Sequence, residues 1–103
     1  MAFKIIWSQT ASEDLKEIVQ YIALDNPDAA VSLADHIIQH IETASKLPFS
    51  NRAVPERAED SVREAILKPY RLIYQVDNKH NAIYVLRIWH ASRGIPEIES
   101  NRN

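Results

Sequence analysis

Between two helical patterns this chain places Leu24-Asp25-Asn26-Pro27, and that break constrains the fold more than any other stretch. Before it, Leu15, Ile18, Val19 and Ile22 recur at the spacing of one buried stripe, with Glu13, Asp14, Lys16 and Glu17 expected to face water. After it, Ala30, Ala34, Ile37, Ile38 and Ile41 make a second apolar face that runs to about Ser45. Proline cannot continue the first helix, because it lacks an amide hydrogen and its ring crowds the preceding turn. It does suit the first turn of a second helix, with Asn26 as its cap. Thr10 followed by Glu13 is a capping-box pattern and predicts the start of the first helix. So short a connection folds the two helices back on each other as an antiparallel hairpin.

The rest of the chain reads as strand and loop. Residues 3–7, "FKIIW", predict a short strand before the hairpin. Residues 46–61 are polar, hold two prolines and show no period, so they are expected as a long loop passing across the sheet. Three strands follow, at about 62–68, 71–77 and 82–90, the last two joined by the turn material "DNKHN". The order is strand, helix, helix, three strands. This is an α+β fold, with the helical hairpin packed on one face of a small, mainly antiparallel sheet. A chain of 103 residues can bury one modest core, so a single domain over residues 1–103 is expected, with a short flexible tail from about residue 97. Alternation along the last strand puts Tyr84, Leu86, Ile88 and His90 on one face, expected under the helices. It puts Ile83, Val85, Arg87 and Trp89 on the other, expected to be open to a partner. Trp7 and Tyr21 are expected in the core.

Composition removes several classes of function. There is no cysteine, so neither a disulfide framework nor a thiolate metal site is available, and a reducing cytoplasm fits. The apolar run near the N-terminus is too short for a signal peptide, and no segment is long enough to span a membrane. A cytoplasmic protein is expected. The only glycine is Gly94, which excludes glycine-rich phosphate loops. The net charge of −2 argues against a general nucleic-acid binder, although Lys68 to Arg93 holds five Lys or Arg and the single acid Asp77. His36 and His40 have a spacing that could hold zinc, but they fall on the wet side of the second helix without a third ligand. No metal and no cofactor is expected, and no serine stands with a histidine and an acid in a recognisable triad order.

Three segments, in this order and spacing, resemble the RelE/ParE toxins of bacterial type II toxin–antitoxin modules, also called plasmid stabilisation proteins. They are "ASEDLKEIVQYIALDNPDAA" for the helical hairpin, "VREAILKPYRLIYQV" for the middle strands and "VLRIWHASRGIP" for the last strand and its exit. The resemblance covers nearly the whole chain. It implies a cognate antitoxin whose C-terminal segment drapes over the toxin while its N-terminal part binds the operator. It also implies one of two targets: RelE-like members enter the ribosome and cut mRNA, and ParE-like members poison DNA gyrase.

For the ribonuclease branch the resemblance assigns Arg71 to the phosphate and His90 and Arg93 to the remaining basic or acid–base roles, with Tyr70 nearby. Such a site must deprotonate a 2′-hydroxyl, protonate a leaving 5′-oxygen and stabilise a crowded phosphate, and it needs no metal. Two departures point the other way. The lysines that RelE-like nucleases carry before "YR" fall on Val62 and Glu64 here, or on Arg63 and Ala65 with a shift of one, and the arginine of their last-strand exit falls on Ala91. The long hairpin, "VRE" entering the second strand and the short tail resemble ParE. On that branch the protein is a gyrase-binding inhibitor, not an enzyme, and Arg87, Trp89 and Arg93 are the candidate partner or target contacts. Each candidate also has a structural reading. Arg71 can pair with Asp77 or with a loop acid such as Glu56 or Glu59, His90 can bond to backbone at the strand end, and Trp89 can pack under the loop.

Overall fold

Ser8 is where strand becomes helix. Its amide donates to Val85 O at 3.0 Å, its hydroxyl to Leu86 O at 3.4 Å, and the same oxygen accepts the Ala11 amide at 3.0 Å. The helix start is thus tied to the sheet. In a computed structural model, which describes residues 2–99, strand β1 (Lys4–Trp7) leads into α1 (Gln9–Ala23) and α2 (Pro27–Lys46). A 3-10 turn (Pro48–Ser50) and a loop follow, then β2 (Val62–Leu67), β3 (Tyr70–Asp77), β4 (Ala82–His90) and a second 3-10 turn (Ala91–Arg93). Ser8, and not Thr10, caps α1. The expected box was overridden because the sheet holds Ser8 in an extended conformation at the right place. Asn26 caps α2 as expected, accepting the Ala29 amide at 3.1 Å, with Pro27 in the first turn.

The sheet has four strands in the order β1-β4-β3-β2, antiparallel except for β1, which runs parallel to β4. The α+β architecture expected from the element order is the one observed. The helical hairpin covers one face, where Ala11, Ile37, Ile41, Leu72, Tyr74, Ile83, Val85 and Ile88 form the main core. Trp7 packs against this core, but Tyr21 is 78% exposed and Ile38 also faces out. Those two side chains lie at the margins of stripes narrower than the sequence suggests. Asp14 is the larger correction: it was expected in water and is 8% exposed. No helix among the described residues is long and apolar enough to cross a membrane.

Strict alternation fails in the middle of β4. The register steps from Tyr74↔Val85 to Ile73↔Arg87, so Leu86 is an extra residue and the strand bulges there. Before the bulge Ile83 and Val85 face the helices and Tyr84 and Leu86 face away, the reverse of the expected phase. After it Ile88 faces the helices and Trp89 faces away, as expected. The far face is not open either. Val54 from the long loop closes over Val62, Ile73, Leu86 and Trp89 in a second, smaller core, and Ile98 packs against it. Of the tail expected from about residue 97, Ile98 packs against this second cluster, and residues 100–103 lie outside the described residues.

Candidate functional site

The sheet separates the sequence-derived candidates into two groups. Tyr70 and His90 pair across β3 and β4 on the helix side, with ring centroids 5.3 Å apart in an edge-to-face arrangement. They line a cleft of about 300 Å³ with Asp14, Glu17, Ile18, Tyr21, Ile22, Ile88 and Arg93. Nδ1 of His90 accepts the Ser92 amide at 3.1 Å and lies 2.7 Å from the Ser92 hydroxyl. In the neutral ring this leaves the proton on Nε2. His90 is thus a strand-end histidine bonded to backbone. Burial pushes the Tyr70 phenol above its ordinary range.

Arg71 points to the other face, beside Trp89 in the register, and two carboxylates already engage it. Its Nε donates to Glu64 at 2.6 Å, and its two terminal nitrogens donate to Glu56 at 2.7 and 3.0 Å. Glu64 is 1% exposed and is also held by Arg52, so one buried carboxylate receives two guanidiniums. The Glu56 hydrogen bonds, with Glu64 behind them, raise the Arg71 pKa further above its ordinary value. Arg71 in turn holds the Glu56 carboxyl below the usual carboxylate range. Asp77, the other expected partner, instead bonds His80 at 2.8 Å. Chemically, this network fastens the loop to the sheet.

Arg87 and Asp14 form a third cluster at the open edge of β4 beyond β1. Nε and Nη2 of Arg87 donate to the two Asp14 oxygens at 2.8 and 2.9 Å, and the Ile88 amide donates to the same carboxylate at 3.0 Å. The Asp14 hydrogen bonds raise the Arg87 pKa. The guanidiniums of Arg87 and Arg93 lie over the Trp89 ring at 4.9 and 4.1 Å from its centroid. Trp89 itself is 2% exposed, so the expected open contact face is replaced by a covered one, and of the three partner candidates only Arg93 is exposed. Asp14 and Glu64 were missed as site-forming residues. A signal existed: Ala11, Asp14, Ile18 and Ile22 share a stripe, and Glu64 alternates with Val62 on one strand face.

His36 and His40 do not converge on a ligand; Nδ1 of His40 donates to the His36 carbonyl at 2.9 Å. Among the described residues no group of three or more His, Cys, Asp or Glu could hold a metal ion.

Comparison with known proteins follows the same outline. A family model described as "ParE toxin of type II toxin-antitoxin system, parDE" matches residues 5–95. A protein of Sinorhizobium fredii described as "Putative toxin Y4kP" is 31% identical over 97 residues, covering 92% of this chain and 95% of the relative. Among solved structures, one from the chromosomal ParDE toxin–antitoxin system of P. aeruginosa superposes with a TM-score of 0.71 at 20% identity, over 86% of this chain and 96% of that one. A mutant of the E. coli toxin RelE in the free state gives 0.60 at 16% identity, over 91% and 88%. With all of β1 but Lys4, the hairpin, the three later strands and the strand exit inside the matched span, this chain belongs to the ParE toxin family of type II toxin–antitoxin systems, within the wider RelE/ParE group.

Proposed function

We propose that this toxin is a binding inhibitor of DNA gyrase, ParE-like in its action, that works in the cytoplasm and is silenced by a cognate antitoxin. The observation that carries this reading against a ribonuclease is the engagement of Arg71. A phosphate-binding guanidinium must be free to meet an incoming anion, and this one is filled by Glu56 with the buried Glu64 behind it. A phosphate would have to displace one carboxylate and lie against another. Tyr70 and His90, which would supply the proton transfers, lie on the opposite face of the sheet, so the four nuclease candidates do not converge on one bond. The slightly acidic net charge also disfavours an enzyme that must dock on ribosomal RNA. An antitoxin partner is supported by the family, and by the P. aeruginosa neighbour being described as part of a ParDE system.

The test is supercoiling by purified gyrase with this protein added at rising concentration, beside an antitoxin-bound control. Dose-dependent inhibition, or trapped cleaved DNA, relieved by the antitoxin is the expected result. A folded protein that stops bacterial growth yet leaves gyrase untouched would overturn the reading. Cleavage of translated mRNA that disappears in Arg71→Ala and His90→Ala would then point to the ribosome.

A further inference from the structure

Six arginines lie among the described residues, and five of them pair with a carboxylate: Arg52 with Glu64, Arg57 with Glu59, Arg63 with Asp60, Arg71 with Glu56 and Arg87 with Asp14. The sixth, Arg93, is exposed and rests on the Trp89 ring, 4.1 Å from its centroid. Among the described residues it makes no ion pair and no hydrogen bond. Stacking holds this side chain in place without neutralising it.

Arg93 lines the cleft between α1 and the ends of β3 and β4, and two more unused donors line it too. Tyr70 is 8% exposed, yet its hydroxyl bonds to no other group among the described residues. No buried side-chain oxygen or nitrogen among them is both enclosed and without a partner, so that hydroxyl reaches open space, and the space Tyr70 borders is this cleft. Burial pushes the phenol up, so it stays protonated and can donate. His90 completes the set. Its Nδ1 is taken by Ser92, and the neutral ring presents Nε2–H.

The rest of the cleft narrows what could bind. Ile18 and Ile22 of α1 and Ile88 of β4 give it an apolar floor. The backbones at this end are used up: Tyr70 pairs with His90 across the sheet, and the Ala91 amide donates to Pro69 O at 2.8 Å. A peptide therefore finds no open strand edge between them. Asp14 is matched by Arg87, which leaves Arg93 as the one unmatched cation among the lining residues, facing Glu17 on α1. One guanidinium above an apolar floor suits a monoanion, since a dianion would lose more hydration than this site returns.

We propose that this cleft binds a small free carboxylic acid with an aromatic or branched aliphatic body, its carboxylate held by Arg93, His90 and Tyr70 and its body against Ile18, Ile22 and Ile88. The volume of about 300 Å³ is at the small end for ligand pockets and suits one ring with its carboxylate. A bound acid joins α1 to the exit of the sheet and stabilises the fold by mass action. The inference does not rest on which macromolecule the toxin inhibits.

The probe is 4-methylbenzoate, titrated into the full chain at neutral pH and followed by backbone amide shifts in NMR spectra. Shifts should concentrate in residues 17–22 and 88–93. The uncharged isostere 4-methylbenzamide should bind about tenfold more weakly, and Arg93→Gln should bring the benzoate down to the same level. Tyr70→Phe, which keeps the ring, should weaken the benzoate about threefold or more. Glu17→Gln removes the facing acid and should strengthen it, a gain that a loosened fold would not produce. No shifts in the two segments, or equal binding of acid and amide, would overturn the site. Benzoate binding unchanged in Arg93→Gln would overturn the recognition assigned to it. Inorganic phosphate that displaces the benzoate at equal concentration would overturn the apolar monoanion, and tighter binding of N-acetylphenylalanine would overturn the free acid in favour of a chain end.

Discussion

Asp14 shares a helical stripe with Ala11 and Ile18, and its two oxygens meet three donors: two nitrogens of Arg87 and the amide of Ile88. Removing the carboxylate leaves a half-buried guanidinium with fewer partners and a strand amide with none, and it is this loss that costs, more than the pair's own attraction. Asp14→Ala should therefore lower unfolding free energy by about 3 kcal/mol, read from urea denaturation at neutral pH. Asp14→Asn, which keeps acceptor capacity, should lose less. A cost for Asp14→Ala near zero would show that the edge of β4 closes without it. Glu56 makes a pH prediction at the same scale. Arg71 depresses its folded-state pKa below the ordinary 4.5. Its stabilisation is therefore complete above that value and is lost as pH falls through the lower folded value. Glu56→Gln should flatten the acid side of the stability profile in that window and leave the profile's shape near pH 8 unchanged, as thermal melts between pH 2 and 8 would show.

Elements here begin and end where local chemistry meets an anchor elsewhere in the chain. The second helix follows its own sequence signals, because Asn26 and Pro27 supply the cap and the first turn without outside help. The first helix does not. Thr10 and Glu13 offer a competent box, yet the helix opens at Ser8, whose amide and hydroxyl are taken up by the β4 carbonyls of Val85 and Leu86. Ser8→Ala should cost about 1 kcal/mol, and Thr10→Ala should stay within about 0.5 kcal/mol of wild type. Equal losses at the two positions, in the same denaturation experiment, would return the cap to Thr10. The β4 bulge belongs to the same level. Alternation read from Tyr84 to His90 assumes an unbroken pleat, and the extra residue at Leu86 reverses the faces before it while leaving those after it correct. Nothing in "IYVLRIWH" marks the bulge, since it holds no Gly, Pro, Asn or Asp to interrupt a strand.

Across the whole molecule one sheet carries two cores, a main one under the helical hairpin and a smaller one under the loop and Ile98. The second depends on Val54, which is buried although the other residues of the loop from 51 to 61 are exposed or half-buried. Val54→Ser should speed proteolysis and amide exchange in residues 51–61 while leaving exchange in α2 and β3 at wild-type rates. Uniform acceleration through both cores would mean that they unfold as one unit. The sequence by itself determined the helical hairpin, the order of elements, the mainly antiparallel sheet and the family, because caps, breakers and periodicities act between residues a few positions apart. Only the tertiary structure decided that Asp14 is buried, that Arg71 is filled and that the far face is closed. Asp14 lies 73 positions from Arg87, and Glu56 lies 15 from Arg71. Whether such a charge faces water or a partner depends on which distant segments meet around it, and no local pattern encodes that meeting.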